Sequence, residues 1–154
     1  MKKSLPNDLL IPEVAELIRQ GHTVTLTARG NSMNPFIVDR RDRVVLSPCT
    51  DAQLQPGAVV LALTDDHRYV LHRIVCRRGD ELTLLGDGNL HQTERTDTGR
   101  VVGLLTAVIR KGRTYPTDGA VWLRYSRWWR RLTPVRRRLL ATYRRIREWI
   151  IDNG

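Results

Sequence analysis

Between Thr23 and Ile109 the apolar residues come in short runs, each closed by a glycine-, proline- or aspartate-containing turn. Thr23-Val24-Thr25-Leu26-Thr27-Ala28 alternates apolar and polar, the pattern of a strand with one apolar face. Gln55-Pro56-Gly57 turns the chain into the continuous apolar run Ala58–Leu63. A polar hairpin, Thr64-Asp65-Asp66-His67-Arg68, leads back through Tyr69–Cys76. A second turn, Arg77-Arg78-Gly79-Asp80, opens Glu81–Leu85. Leu90–Gly99 reads as a polar loop carrying Glu94 and Asp97, and Val101–Ile109 reads as the last strand. Many short strands joined by such turns predict a mainly β body, a partly closed sheet.

The ends differ from this body. Residues 9–20 predict a short amphipathic helix, with Pro12 in its first turn, Val14, Leu17 and Ile18 on one face, and Gly21 after its end. At the other end, Thr133-Pro134 has the form of a cap and first-turn proline. Behind it Val135, Leu139, Tyr143, Ile146 and Ile150 recur at helical spacing among arginines. Before it Val121, Tyr125, Trp128, Trp129 and Leu132 form a shorter stripe. The expected organisation is an N-terminal helical segment (1–22), a sheet domain (23–116) and a basic amphipathic helical tail (117–154).

Charge separates the same parts. Of the 26 Lys/Arg and 16 Asp/Glu, residues 121–154 hold 10 and 2, a net of +8; the remaining 16 and 14 leave residues 1–120 at +2. Arguments from charge to partners therefore concern the tail alone. Arginines interleaved with Trp122, Trp128, Trp129 and Trp149 suit an interfacial helix meeting anionic lipid. Packing of the same apolar stripe on the sheet is the alternative, and nucleic-acid binding on charge alone ranks third. No apolar run reaches transmembrane length, and Pro12 and Glu13 interrupt the start, so neither a spanning helix nor a signal peptide is expected. Two cysteines, Cys49 and Cys76, are too few for a disulfide framework. The expected location is the cytoplasm or the cytoplasmic membrane face.

Three places carry possible chemistry. Arg29-Gly30-Asn31-Ser32-Met33-Asn34-Pro35 sets a serine on a constrained bend, because Gly30 relaxes the backbone and Pro35 restricts it. His72 shares a strand face with Val70 and Ile74. Gly86-Asp87-Gly88-Asn89 holds a carboxylate between two glycines. Taken singly, they read first as a turn and a satisfied core histidine, and the third could be only a loop.

In this order, Ser-Met-x-Pro, His-Arg within a strand and Gly-Asp-x-Asn, the motifs resemble the type I signal peptidase superfamily over Thr23 to Ile109, nearest the branch that uses histidine as base. The resemblance implies a signal-peptidase-like sheet domain and a serine endopeptidase. Ser32 would be the nucleophile and His72 its general base, the imidazole being suited to work near neutral pH. Asp87 would orient the imidazole, with Glu94 the second choice. The Ser32 N–H would be one oxyanion donor; Gly30 has no hydroxyl to add another, as some relatives do. The sequence departs from the pattern at Arg41-Asp42, where a glycine usually precedes the aspartate; Asp42 is expected to accept backbone hydrogen bonds.

Other chemistries fit less well. Lys2, Lys3 and Lys111 are the only lysines, and none falls on the strand where the lysine-dependent relatives carry their base. The related self-cleaving repressors of the SOS response need a DNA-binding domain, which about thirty residues with one helix cannot form. His67 and His72 with Asp65 or Asp66 make no recognised metal spacing. The expectation is thus a peptidase without metal or cofactor. It would act on a peptide or protein precursor, with peripheral membrane contact through the tail and no nucleic-acid partner. A catalytically silent peptidase-fold interaction protein is the alternative. Oligomeric state is not legible.

Overall fold

The computed structural model describes residues 7–89, 92–132 and 135–153. Helix α1 (Asn7–Arg19) precedes β1 (Val24–Thr27), β2 (Asp42–Ser47), β3 (Val59–Leu63), β4 (Tyr69–Arg78), β5 (Glu81–Leu85), β6 (Thr93–Asp97), β7 (Val101–Arg110) and β8 (Arg113–Pro116). Helices α2 (Ala120–Arg131) and α3 (Arg136–Asn153) follow. The strands form one antiparallel eight-stranded sheet in the order β1-β2-β7-β3-β4-β5-β6, with β8 also paired to β7.

The mainly β expectation holds, with a difference in closure. The sheet is open, and β1 and β6 are the ends of its strand order. Two further differences follow from side-chain chemistry. The segment read as a polar loop contains β6, whose inward residues are Glu94 and Thr96. Its alternation is real but is carried by polar groups, so hydropathy does not reveal it. Pro12 lies inside α1 rather than in its first turn, because the helix begins at Asn7; it sits on the exposed side. The expected cap at Thr133-Pro134 lies outside the described residues.

Two apolar clusters form among the described residues. The larger joins Ile11, Val14 and Ile18 of α1 to Val44, Leu46, Leu105 and Val108 of the sheet, and to Met33, Ile37 and Trp122. The other collects Leu54, Val60, Ala62, Ile74, Leu82 and Leu84. Residues on both sides of the boundaries at 22/23 and 116/117 thus share one core. Helix α1 comes close to the sheet at Gly103 on β7, where a Cβ would lie 2.9 Å from Ile18 Cδ1. Truncating a buried tryptophan such as Trp122 costs about 3–5 kcal/mol in comparable cores, so α2 is anchored to the body.

Candidate active site

Ser32 sits on the bend after β1, and that bend is fixed from below. Gly30 takes φ +82°, a left-handed backbone that glycine adopts without strain, and its N–H donates to Asp39 Oδ1 at 2.7 Å. Asp42, fully buried at the start of β2, accepts from the Val38 N–H at 2.8 Å and from Arg41 and Arg110. Burial pushes the Asp42 carboxyl up, but these donors win and hold it below the ordinary carboxylate range. Asp42 thus accepts a backbone hydrogen bond, as its place in the turn suggested. Phe36 stands edge-on to Trp122 and Tyr125, with ring centroids 5.1 and 4.9 Å away, so the bend also rests on α2.

His72 lies on β4 opposite Val60 of β3 and is buried. Its Nδ1 is 2.8 Å from Glu94 Oε2. A carboxylate accepts, so the ring proton belongs on Nδ1, and the neutral imidazole keeps Nε2 as its acceptor. That is the tautomer a serine base requires. The ladder explains the pairing. Ile74 of β4 aligns with Leu84 of β5, and Leu84 with Glu94 of β6. His72 and Ile74 share a face, so Glu94 reaches the imidazole diagonally across β5.

Asp87 stands elsewhere. Its carboxylate accepts Arg73 Nε and Nη2, both at 2.8 Å, and the Tyr125 hydroxyl at 2.6 Å. The carboxylate beside His72 is therefore Glu94 and not the expected Asp87. Adjacent β4 side chains point to opposite faces, so His72 takes one carboxylate and Arg73 the other. Arg73 is almost wholly buried and also donates to Gly57 O and Ser126 Oγ. Its guanidinium lies 5.3 Å from the Trp122 ring centroid and 5.9 Å from that of Tyr125. Burial alone would weaken the guanidinium's hold on its proton; the Asp87 hydrogen bonds and charge reverse this and raise its pKa. The Trp129 indole donates to Asp87 O at 3.0 Å.

So braced, the 86–89 loop lies directly on the serine bend. Gly88 N–H donates to Ser32 O at 2.8 Å, and Asp87 N–H to Met33 Sδ at 3.3 Å. Neither glycine tolerates a side chain. A Cβ at Gly86 would strike Ser32 O and come within 3.0 Å of His72 Nε2; one at Gly88 would strike Asn31 O. The Ser32 carbonyl and the His72 ring thus both face Gly86, and both residues line a groove of about 850 Å³. Ile11, Val14 and Leu17 of α1 form one wall of this groove, and β1 with Ala28 and Arg29 contributes another part.

The structure therefore brings Ser32, His72 and Glu94 to one region and sets Asp87 behind the bend as an anchor. Tyr125 and Trp129, which hold Asp87, carry no site signal in the sequence beyond belonging to an apolar stripe. Arg73 is visible only as the second residue of the His-Arg pair. Among the described residues no group of three or more histidine, cysteine or acidic side chains could hold a metal. Cys49 and Cys76 are free thiols, both half-buried, and burial pushes the Cys49 thiol up. No described helix is long and apolar enough to cross a membrane. No protein-family model matches the chain, and no curated protein matches it.

Proposed function

We propose that this protein is a serine endopeptidase of the signal-peptidase type, with Ser32 as nucleophile, His72 as general base and Glu94 as orienting carboxylate. The observation that carries the reading is the His72 Nδ1–Glu94 pair at 2.8 Å, in a residue lining the same groove as Ser32. His72 Nε2 takes the proton as Ser32 Oγ adds to the scissile carbonyl, then delivers it to the departing amine. Glu94 stabilises the imidazolium formed between these steps. Water then repeats the cycle on the acyl-enzyme, releasing the acid and restoring the serine. The Ser32 backbone N–H is the natural donor to the oxyanion. Beside the groove, β1 pairs among the described residues with β2 alone, and its other edge would take an extended peptide.

Digestion of a diverse peptide library, read by mass spectrometry, tests the proposal. Wild-type protein should generate new termini that Ser32→Ala and His72→Gln do not. Equal cleavage by wild type and Ser32→Ala would reject it. Peptide binding without any cleavage would favour the silent interaction protein instead.

A further inference from the structure

The two C-terminal helices share one surface plan, which is independent of the peptidase reading. In α2, Trp122 and Trp129, seven residues apart, face the body and are buried. One residue earlier in each case, Val121 and Trp128 form a row that is 53% and 56% exposed. In α3, Leu140 is the buried contact, and Leu139, again one residue earlier, begins the exposed row that continues through Ile146 and Ile150. At 100° per residue each exposed row stands a quarter-turn or so round from the buried one. A row of arginines borders it on the side away from the buried residues of each helix: Arg124 and Arg131 in α2, Arg138 and Arg145 in α3, all exposed. Trp149, at 66% the most exposed tryptophan, lies between the arginine and aliphatic rows of α3.

We infer that α2 and α3 dock this protein on an anionic lipid surface, lying in its plane. Such a surface offers negative headgroups directly beside hydrocarbon, the same sequence of chemistries as arginine row, tryptophan and aliphatic row. Nucleic acid would match the arginines and leave Leu139, Ile146 and Ile150 against a polar polyanion. A second copy would set like charge on like charge, since residues 121–154 hold 10 arginines against 2 acids. Of the two helices, α2 is also the one whose Tyr125 and Trp129 brace Asp87, so its lipid-facing row is joined directly to the body.

Cosedimentation of the full chain with phosphatidylglycerol or phosphatidylcholine vesicles tests this. Binding to the anionic vesicles should be at least about tenfold tighter and should fall steeply toward molar salt. Brominated acyl chains should quench tryptophan emission of the bound wild type. Ile146→Ser with Trp149→Ser keeps every charge, and Arg138→Gln with Arg145→Gln keeps the aliphatic row; each pair should weaken binding about tenfold or more. Circular dichroism checks that these exposed substitutions leave the fold intact, and the quenching experiment needs no variant. Equal binding to both vesicles would overturn the inference. So would bound protein without quenching, or unchanged binding by the Ile146/Trp149 variant. Tighter binding to an oligonucleotide than to the anionic vesicles would assign the surface to nucleic acid and reject the lipid.

Discussion

Arg73 and Asp87 form a two-armed pair, Nε to Oδ1 and Nη2 to Oδ2 at 2.8 Å each, with both side chains withdrawn from solvent. Removing one partner leaves the other charged and buried, a loss of about 3–5 kcal/mol. Asp87→Ala and Arg73→Met should each lower the denaturant midpoint accordingly. The measurement is urea unfolding followed by tryptophan fluorescence. A change under about 0.5 kcal/mol, the ordinary range for surface substitutions, would mean the pair does not hold the loop.

Glu94→Gln separates the two carboxylates by a different signature. An amide can still bond the imidazole, but it cannot supply the charge that the imidazolium needs, and it admits the wrong tautomer. Cleavage should fall by about 10⁴ in kcat with the fold intact. The accompanying measurement is kcat against KM for one cleavable peptide, where KM should change little. If Glu94→Gln works as well as wild type, Glu94 has no orienting role.

Ser32→Ala removes a hydroxyl at a half-exposed bend and should change stability by no more than about 0.5 kcal/mol. It should nevertheless eliminate turnover. His72→Gln should match it in activity and cost more in stability, since the imidazole is buried and holds Glu94. Parallel melting curves and single-turnover assays on the two variants distinguish these effects.

Asp42 sets an acid limit on the fold. Its pKa is held below the ordinary value of about 4. The unfolded chain therefore takes up a proton there before the folded protein does. This contribution is complete above the unfolded value and fades as pH falls through the folded one. Stability measured between pH 7 and 3 should decline at the acid end, and Asp42→Asn should flatten part of that decline. If the variant and wild type show the same pH slope, the carboxylate is not the group responsible.

Trp129→Phe keeps most of the ring and deletes the donor to Asp87 O. The cost should be about 1–3 kcal/mol, the range for leaving a buried acceptor without its partner. Unfolding curves of this variant, beside Trp128→Phe as an exposed control near zero, provide the comparison.

The strands legible in sequence are those whose inward positions are apolar. β3, β4 and β5 fall within two residues of the expected runs because Val60, Ile74, Leu82 and Leu84 mark the core. β6 escaped because its inward residues are Glu94 and Thr96, and that omission hid the second half of the site. With β6 read as a loop, nothing placed Glu94 across from His72, and the glycine-flanked Asp87 looked the better partner. The α2 stripe was visible but turned by about one residue. Trp128 and Trp129 are adjacent and equally apolar, and only packing decides that Trp129 faces inward. Ser32 and His72 were readable as motif residues; the approach of the Ser32 carbonyl and the imidazole to Gly86 depends on a loop held by contacts more than thirty residues away in sequence.

Those distant contacts also set an order of assembly. The chain is made from its N-terminus, so Ser32, His72, Asp87 and Glu94 all leave the ribosome before Tyr125 and Trp129 do. Until α2 emerges, Asp87 has Arg73 but lacks the hydroxyl and indole that close around it, and the loop backing Ser32 is unfinished. The backing of Ser32 is thus completed only after α2 has been made, well over thirty residues later than the loop it braces.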